Sequence, residues 1–148
     1  MINNNNKMSN ISITTAIDYA NGLPHIGHLF EKTIADFLFR YYSSFSRNML
    51  CNIGLDEHGL KIQNFSLKLT ILPINSTNIT CNKFKVFFKN FCINYSNFIR
   101  TSSFSHFKTC NYLIKFLKTH TYLDYYNGYY SVKEELFLTD RDLVNGYF

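Results

Sequence analysis

His25 and His28 stand three residues apart, with Gly27 between them and Pro24 in front. On a helix that spacing projects both imidazoles from one face. A helix that starts there has free backbone N–H groups and the positive end of its dipole at the same place. Two imidazoles beside such an end can add hydrogen bonds to an anion, most naturally a phosphate. Gly27 has no side chain, so a flat ring such as a purine could lie against the backbone. Pro24 stiffens the approach to the helix. The bland alternative is that the two histidines are surface residues or helix caps, because a bare His-x-x-His is a common pattern. A metal site lacks a third ligand at useful spacing, and the pattern is not His-Glu-x-x-His.

The elements that must position this pair follow from periodicity and turn chemistry. Residues 11–16 are β-branched and predict a short strand. Asn21-Gly22 and Pro24 then break regular structure. Leu29, Ile34, Phe37, Leu38 and Tyr41 fall at helical spacing and predict a helix over about 27–42. Residues 49–53 form an apolar run suited to a buried strand, ended by Gly54, and a polar turn follows through His58. Residues 59–69 predict a second helix. Strand, helix, strand, helix implies two parallel strands in one sheet, and ligands of such sheets bind beyond the carboxyl ends of the strands. The loops at 17–28 and 55–59 both lie there and should line one crevice.

Further along, 73–78 reads as a linker. Residues 80–93 and 103–120 read as amphipathic helices, with 97–101 between them. Residues 121–132 read as Tyr-rich strand with Asn127-Gly128 as a hairpin turn. Residues 140–145 suit a final short helix. No internal repeat is visible.

Composition narrows the class. A chain of 148 residues suits one globular domain. With 46% hydrophobic and 17% charged residues it is not a disordered chain. The 15 Phe and 11 Tyr, beside abundant Asn, Lys and Ile, reflect AT-rich codons rather than function. The net charge of +5 suits a polyanionic partner, and equally an ordinary basic surface. Cys51, Cys81, Cys92 and Cys110 form no Cys-x-x-Cys pair, so zinc-knuckle spacing is absent. Cys51 and Cys92 sit in apolar surroundings and read as small buried hydrophobes, reduced in a cytoplasmic compartment. No run of about 20 apolar residues exists to span a membrane. Residues 1–10 are polar and Asn-rich, without the apolar region of a secretory signal, and read as a disordered leader.

The motifs carry more when read together. The segment from Ile13-Thr14-Thr15-Ala16-Ile17-Asp18-Tyr19 through Pro24-His25-Ile26-Gly27-His28 closely resembles the signature strand and loop of the methionyl-tRNA synthetase family, within class I. So does Gly54-Leu55-Asp56-Glu57-His58-Gly59-Leu60-Lys61-Ile62. Phe98-Ile99-Arg100-Thr101-Ser102, with His106 after it, looks like a third signature. The stretch 125–138 is similar to the start of the family's inserted connective subdomain. The histidine motif alone would fit any nucleotidylyl transferase of this type, but the Asp-Glu-His-Gly block selects the methionine family.

The resemblance implies an α/β fold: the first half of a Rossmann-like parallel sheet with flanking helices over 11–120, then the start of the connective subdomain over 121–148, truncated. It implies ATP-dependent activation of methionine to methionyl-adenylate and transfer to tRNA(Met), with no covalent enzyme intermediate. His25 and His28 would be catalytic, hydrogen-bonding ATP phosphates. Gly27 and Glu31 would complete the ATP contacts, with a solvated helix carboxylate as the other reading of Glu31. Ala16, Ile17, Tyr19 and Asp56 would bind methionine: Tyr19 closing over the thioether, Asp56 pairing with the ammonium. His58 would be a satisfied structural histidine beside the site.

Departures from the family pattern matter too. Leu55 stands where the family usually has Thr, and Tyr129 where Trp is common. Ser131 and Glu134 occupy positions that are cysteines in zinc-binding members, so the chain resembles the zinc-free branch. No structural metal is expected, and Mg would enter with ATP. The family's Lys-Met-Ser-Lys-Ser motif does not occur in the chain. The resemblance therefore leaves two readings open: a fragment or piece of a split synthetase completed by a second polypeptide, or a non-catalytic remnant.

Overall fold

The computed structural model describes residues 11–45 and 48–139. The expected leader at 1–10 and helix at 140–145 lie outside them. The described chain falls into two units, one running to Phe107 and one from Lys108 onward.

The first unit is built on a parallel sheet. β1 (Ile11–Thr14) and β2 (Asp18–Tyr19) precede α1 (Ile26–Ser43), which leads to β3 (Met49–Asp56). α2 (Leu60–Lys68), α3 (Pro73–Asn90) and β4 (Asn97–Arg100) follow. α4 (Phe104–Phe116) starts in this unit and runs past its end. β3 is central. Asn52 pairs with Thr14 of β1 and with Asn97 of β4, so those strands lie on opposite edges of β3. Leu55 pairs with Asp18 of β2 and Arg100 of β4, which puts β2 on the β1 edge. All four strands run parallel, as the strand–helix alternation implied. β2 is a short second piece of that edge, and sequence reading passed over it because two residues carry no period.

β3 is longer than the apolar run that announces it. The sequence pattern ends the strand at Gly54, but Gly54 pairs within β3 with Ile99. A Cβ there would press into the Ile99 carbonyl oxygen and stand 2.9 Å from Ile99 Cβ. Glycine marks the close approach of β4, and the strand continues to Asp56.

The expected linker at 73–78 is the first turn and a half of α3. Pro73 sits at the helix start, where its missing N–H costs nothing. Ser76 and Thr77 are buried, and their hydroxyls bond back to Pro73 O (2.8 Å) and Ile74 O (3.0 Å). Ser76 Oγ also meets Ser66 Oγ of α2 at 2.6 Å. Polar residues that read as loop are here satisfied inside a helix pair. At the other end Cys92 takes the left-handed conformation, φ 55°. Its N–H bonds Lys89 O, and the next N–H, of Ile93, bonds Phe88 O, both at 3.0 Å. This is a Schellman close, with Ile93 and Phe88 buried together. It exposes Cys92, contrary to the reading of a buried thiol; Cys51 is buried as expected. The core beneath the sheet gathers Leu29, Ala35, Ile53, Leu55, Ile62 and Phe84 around Cys51.

In the second unit, a short 3-10 turn (Lys118–His120) follows α4. Residues 121–129 have no regular structure. β5 (Tyr130–Ser131) and β6 (Leu136–Phe137) then form an antiparallel hairpin. The turn is therefore at 132–135, with Glu135 at φ 58°, and not at Asn127-Gly128. Tyr126 and Tyr130 both pack edge-on against Phe137, at 4.8 and 5.1 Å, and that aromatic cluster sets the register.

Candidate active site

α1 begins at the carboxyl end of the sheet, and its first turn carries the two histidines. His25 is the N-cap in extended conformation. Its Nδ1 accepts the Gly27 N–H at 3.1 Å, while His28 Nδ1 accepts the His25 N–H at 3.1 Å. The two imidazoles thus close a capping box around the first turn, and the rings lie 3.8 Å apart between centroids. The capping alternative raised by the spacing is correct, but it does not exclude the chemical one. A neutral imidazole that accepts at Nδ1 must carry its proton on Nε2. The caps fix both rings as Nε2–H donors at the positive end of a helix. Burial pushes the His28 pKa down, with the Asp18 charge opposing, so His28 offers its N–H as a neutral donor. Phe84 backs the His28 ring edge-on at 5.1 Å.

Gly27 has a local reason to be glycine. A Cβ would stand 2.9 Å from His25 Cε1 and 3.1 Å from its Nδ1, so the folded-over His25 ring needs that space.

The residues expected to hold an amino acid come together through β2 and β3. Tyr19 and Asp56 are direct partners in the register, so their side chains leave the sheet on one face. Asp56 is partly buried, and its Oδ1 accepts the His58 N–H at 3.4 Å and the Thr101 hydroxyl at 3.5 Å. His58 itself is exposed, not enclosed as a structural histidine. Lys61 Nζ lies over the Tyr19 ring, 5.8 Å from its centroid. A cavity of about 370 Å³ is lined by Ile17, Asp18, Tyr19, Asn21, His25 and His28, among others. A larger one, about 650 Å³, opens beside Arg40, Lys85, Lys89 and Tyr95. It contains none of the expected site residues, and the smaller cavity is the one with converging donors and acceptors.

Beside Glu31, which the resemblance singles out, two charged groups that it does not, Lys32 and Asp18, lie beneath the site. Lys32 is completely buried and gives its ammonium to Asp18 Oδ1 (2.8 Å), Glu31 Oε2 (2.8 Å) and Ala16 O (3.0 Å). Glu31 Oε1 accepts the Ala16 N–H at 2.9 Å. Both backbone groups of Ala16, at the break between β1 and β2, are thus held by adjacent residues of α1. Burial raises the Glu31 pKa, but the bonds from Lys32 and Ala16 outweigh it and leave the carboxyl below its usual range. On this geometry Glu31 braces the Ala16 backbone with one oxygen and the Lys32 ammonium with the other. The available signal was that Lys32 lies one turn beyond His28 on the same helix face.

A second buried pair holds the Asp56 loop. Glu57 Oε1 accepts from Arg100 Nε at 2.7 Å, and its other oxygen takes the Ser102 hydroxyl. Thr101 Oγ1 accepts the Glu57 N–H at 2.9 Å. The ends of β3 and β4 are thereby locked together beside Asp56.

The family profile for tRNA synthetases class I (M) matches residues 11–147. This chain belongs to that family. Methionine–tRNA ligase of Deinococcus radiodurans is 38% identical over 137 residues, covering 90% of this chain and 20% of the relative. The mitochondrial methionine–tRNA ligase of Candida albicans is 34% identical over 134 residues, covering 88% and 23%. A structure of Mycobacterium tuberculosis methionyl-tRNA synthetase in complex with methionyl-adenylate superposes with a TM-score of 0.78 at 30% identity, covering 91% of this chain and 27% of that one. The chain spans about a fifth to a quarter of the length of these family members. Among the described residues no cluster of three or more His, Cys, Asp or Glu could hold a metal ion, and no helix is long and apolar enough to cross a membrane.

Proposed function

We propose that this chain forms the histidine-bearing half of a site that activates methionine with ATP, as the first step of charging tRNA(Met). The observation that carries this reading is the reciprocal cap of His25 and His28, which aims two Nε2–H donors from a helix end beside the Tyr19–Asp56 pair. The M. tuberculosis relative binds methionyl-adenylate, the product of such a reaction.

In the reaction a methionine carboxylate oxygen attacks the α-phosphorus of ATP. A bond forms from that oxygen to phosphorus, and the bond from phosphorus to the bridging oxygen breaks to release pyrophosphate. His25 and His28 stabilise charge on the phosphate oxygens by hydrogen bonding and move no proton. Asp56 pairs with the substrate ammonium, and Tyr19 and Ile17 wall the thioether. Gly27 leaves the space in which the His25 ring folds over the start of α1, where the nucleotide phosphates meet the imidazoles. Mg²⁺ enters with ATP and draws on phosphate oxygens and water. The domain reading places the nucleotide half at 11–120 and the connective subdomain from 121. The aminoacyl transfer and the lysine motif require sequence outside this chain, on the same or a second polypeptide.

Methionine-dependent exchange of pyrophosphate into ATP tests the proposal, with this chain alone and with a polypeptide supplying the rest of the family's length. Exchange that falls at least 100-fold in His28→Ala is the expected result, since removing one transition-state donor costs that much. No exchange from folded protein in either arrangement would sink the catalytic reading and leave a remnant.

A further inference from the structure

Asp18 lines the cavity beside His25 and His28 yet is 92% buried, its relative exposure being 8%. Its Oδ1 is taken by Lys32 at 2.8 Å. Its Oδ2 is buried without a hydrogen-bond partner among the described residues. An unpaired carboxylate oxygen in such a place calls for a donor. The three donors of the Lys32 ammonium are all spent, on Asp18, Glu31 and Ala16, so none remains for Oδ2. The cluster of Lys32, Asp18 and Glu31 carries one negative charge in excess, and Asp18 is close enough for its charge to act on His28. The cavity wall therefore carries the two imidazoles and, buried in the Asp18 side chain of the same wall, an acceptor with no partner. That combination suits a molecule whose phosphate has an N–H or O–H donor a few bonds away.

We infer that Asp18 is a further ligand-binding residue of this cavity, accepting through Oδ2 an ammonium or hydroxyl group that the bound molecule carries close to its phosphate. This rests on the reading of His25 and His28 as phosphate donors. Lys32 is then the fixed counterion that holds Asp18 by one oxygen and leaves the other to the ligand. The carboxylate turns about its broad terminal torsion as a rigid unit, so bringing Oδ2 to the cavity also shifts Oδ1 against the Lys32 ammonium, whose long side chain follows.

The test uses three small probes on the whole chain: ethyl phosphate, 2-hydroxyethyl phosphate and 2-aminoethyl phosphate, followed by NMR. Wild type should bind at least one donor-bearing probe about ten-fold more tightly than ethyl phosphate, the worth of one charge-assisted hydrogen bond. Which probe gains tells hydroxyl from ammonium. In Asp18→Asn that ratio should fall to about one. The Asp18 carboxyl carbon resonance of the unmodified wild type supplies a reading free of any folding defect. It should move with the favoured probe and stay in place with ethyl phosphate. Equal affinity for all three probes in wild type, a ratio retained in Asp18→Asn, or a still carboxyl resonance overturns the inference. Failure of even ethyl phosphate to perturb His25 and His28 instead refutes the phosphate reading beneath it.

Discussion

His28 shows how one side chain can serve backbone and ligand together. Its Nδ1 is spent on the His25 N–H, and its pKa is lowered by burial. A histidine whose folded pKa lies below its unfolded value of 6.5 binds fewer protons when folded. Its contribution is complete above pH 6.5 and is lost as pH falls through the depressed folded value. Nitrogen-detected NMR should show His28 as the Nε2–H tautomer at pH 7, with a titration midpoint below 6.5; an Nδ1–H tautomer would contradict the cap. Lys32 gives a second residue-scale prediction. Lys32→Met strands Asp18 as a buried charge and should cost roughly 3–5 kcal/mol in urea unfolding. The double change with Asp18→Asn should recover part of that loss, because charge imbalance rather than shape causes it. The histidine pair was legible in the sequence because cap, glycine and helix start are contiguous. Asp18 and Lys32 were not, because they are 14 positions apart on different elements and meet only after α1 docks on the sheet.

Between elements, the junction of β3 with β4 decides where Asp56 stands. Gly54 lets β4 approach, and Glu57 with Arg100 locks the strand ends. Gly54→Ala forces a methyl into the Ile99 carbonyl and should destabilise the chain by about 1–3 kcal/mol, with loss of hydrogen-exchange protection along β4. Arg100→Met leaves the Glu57 carboxylate buried and should cost at least as much, roughly 3 kcal/mol. If either variant unfolds at the wild-type urea midpoint, this junction does not hold the sheet. The parallel strands and α1 were legible from period and turn residues. β4 was not: Asn97-Phe98-Ile99-Arg100 is too short for a pattern, and its strand identity comes from the partner that Gly54 admits. The start of α3 was hidden for the opposite reason. Pro73, Ser76 and Thr77 are loop-formers by composition, and the hydroxyl bonds that make them helical reach carbonyls and Ser66 that a local reading does not see.

Over the whole chain, the division after Phe107 and the sequence boundary at 120 differ because they answer to different forces. The boundary at 120 is an expectation from motif resemblance, whereas spatial compactness follows the sheet. The weakest backbone should lie beyond both. Residues 121–129 have no regular structure, and Tyr122, Leu123 and Tyr125 are almost wholly exposed. Proteases cut first where exposed backbone has few bonds to lose. Brief chymotrypsin treatment should therefore cleave at Tyr122, Leu123, Tyr125 or Tyr126 before any aromatic residue of α1 or α3, although α1 exposes Phe30, Phe37 and Tyr41. Mass spectrometry of the first products checks this. The amino-terminal product retains β1 to β4, both histidines and Asp56, so it should give the same His28 titration as the intact chain. A shifted titration would mean that residues after the cut support the site. First cleavage within α1 would mean that its exposed apolar face belongs to a helix that opens more readily than the Tyr-rich segment.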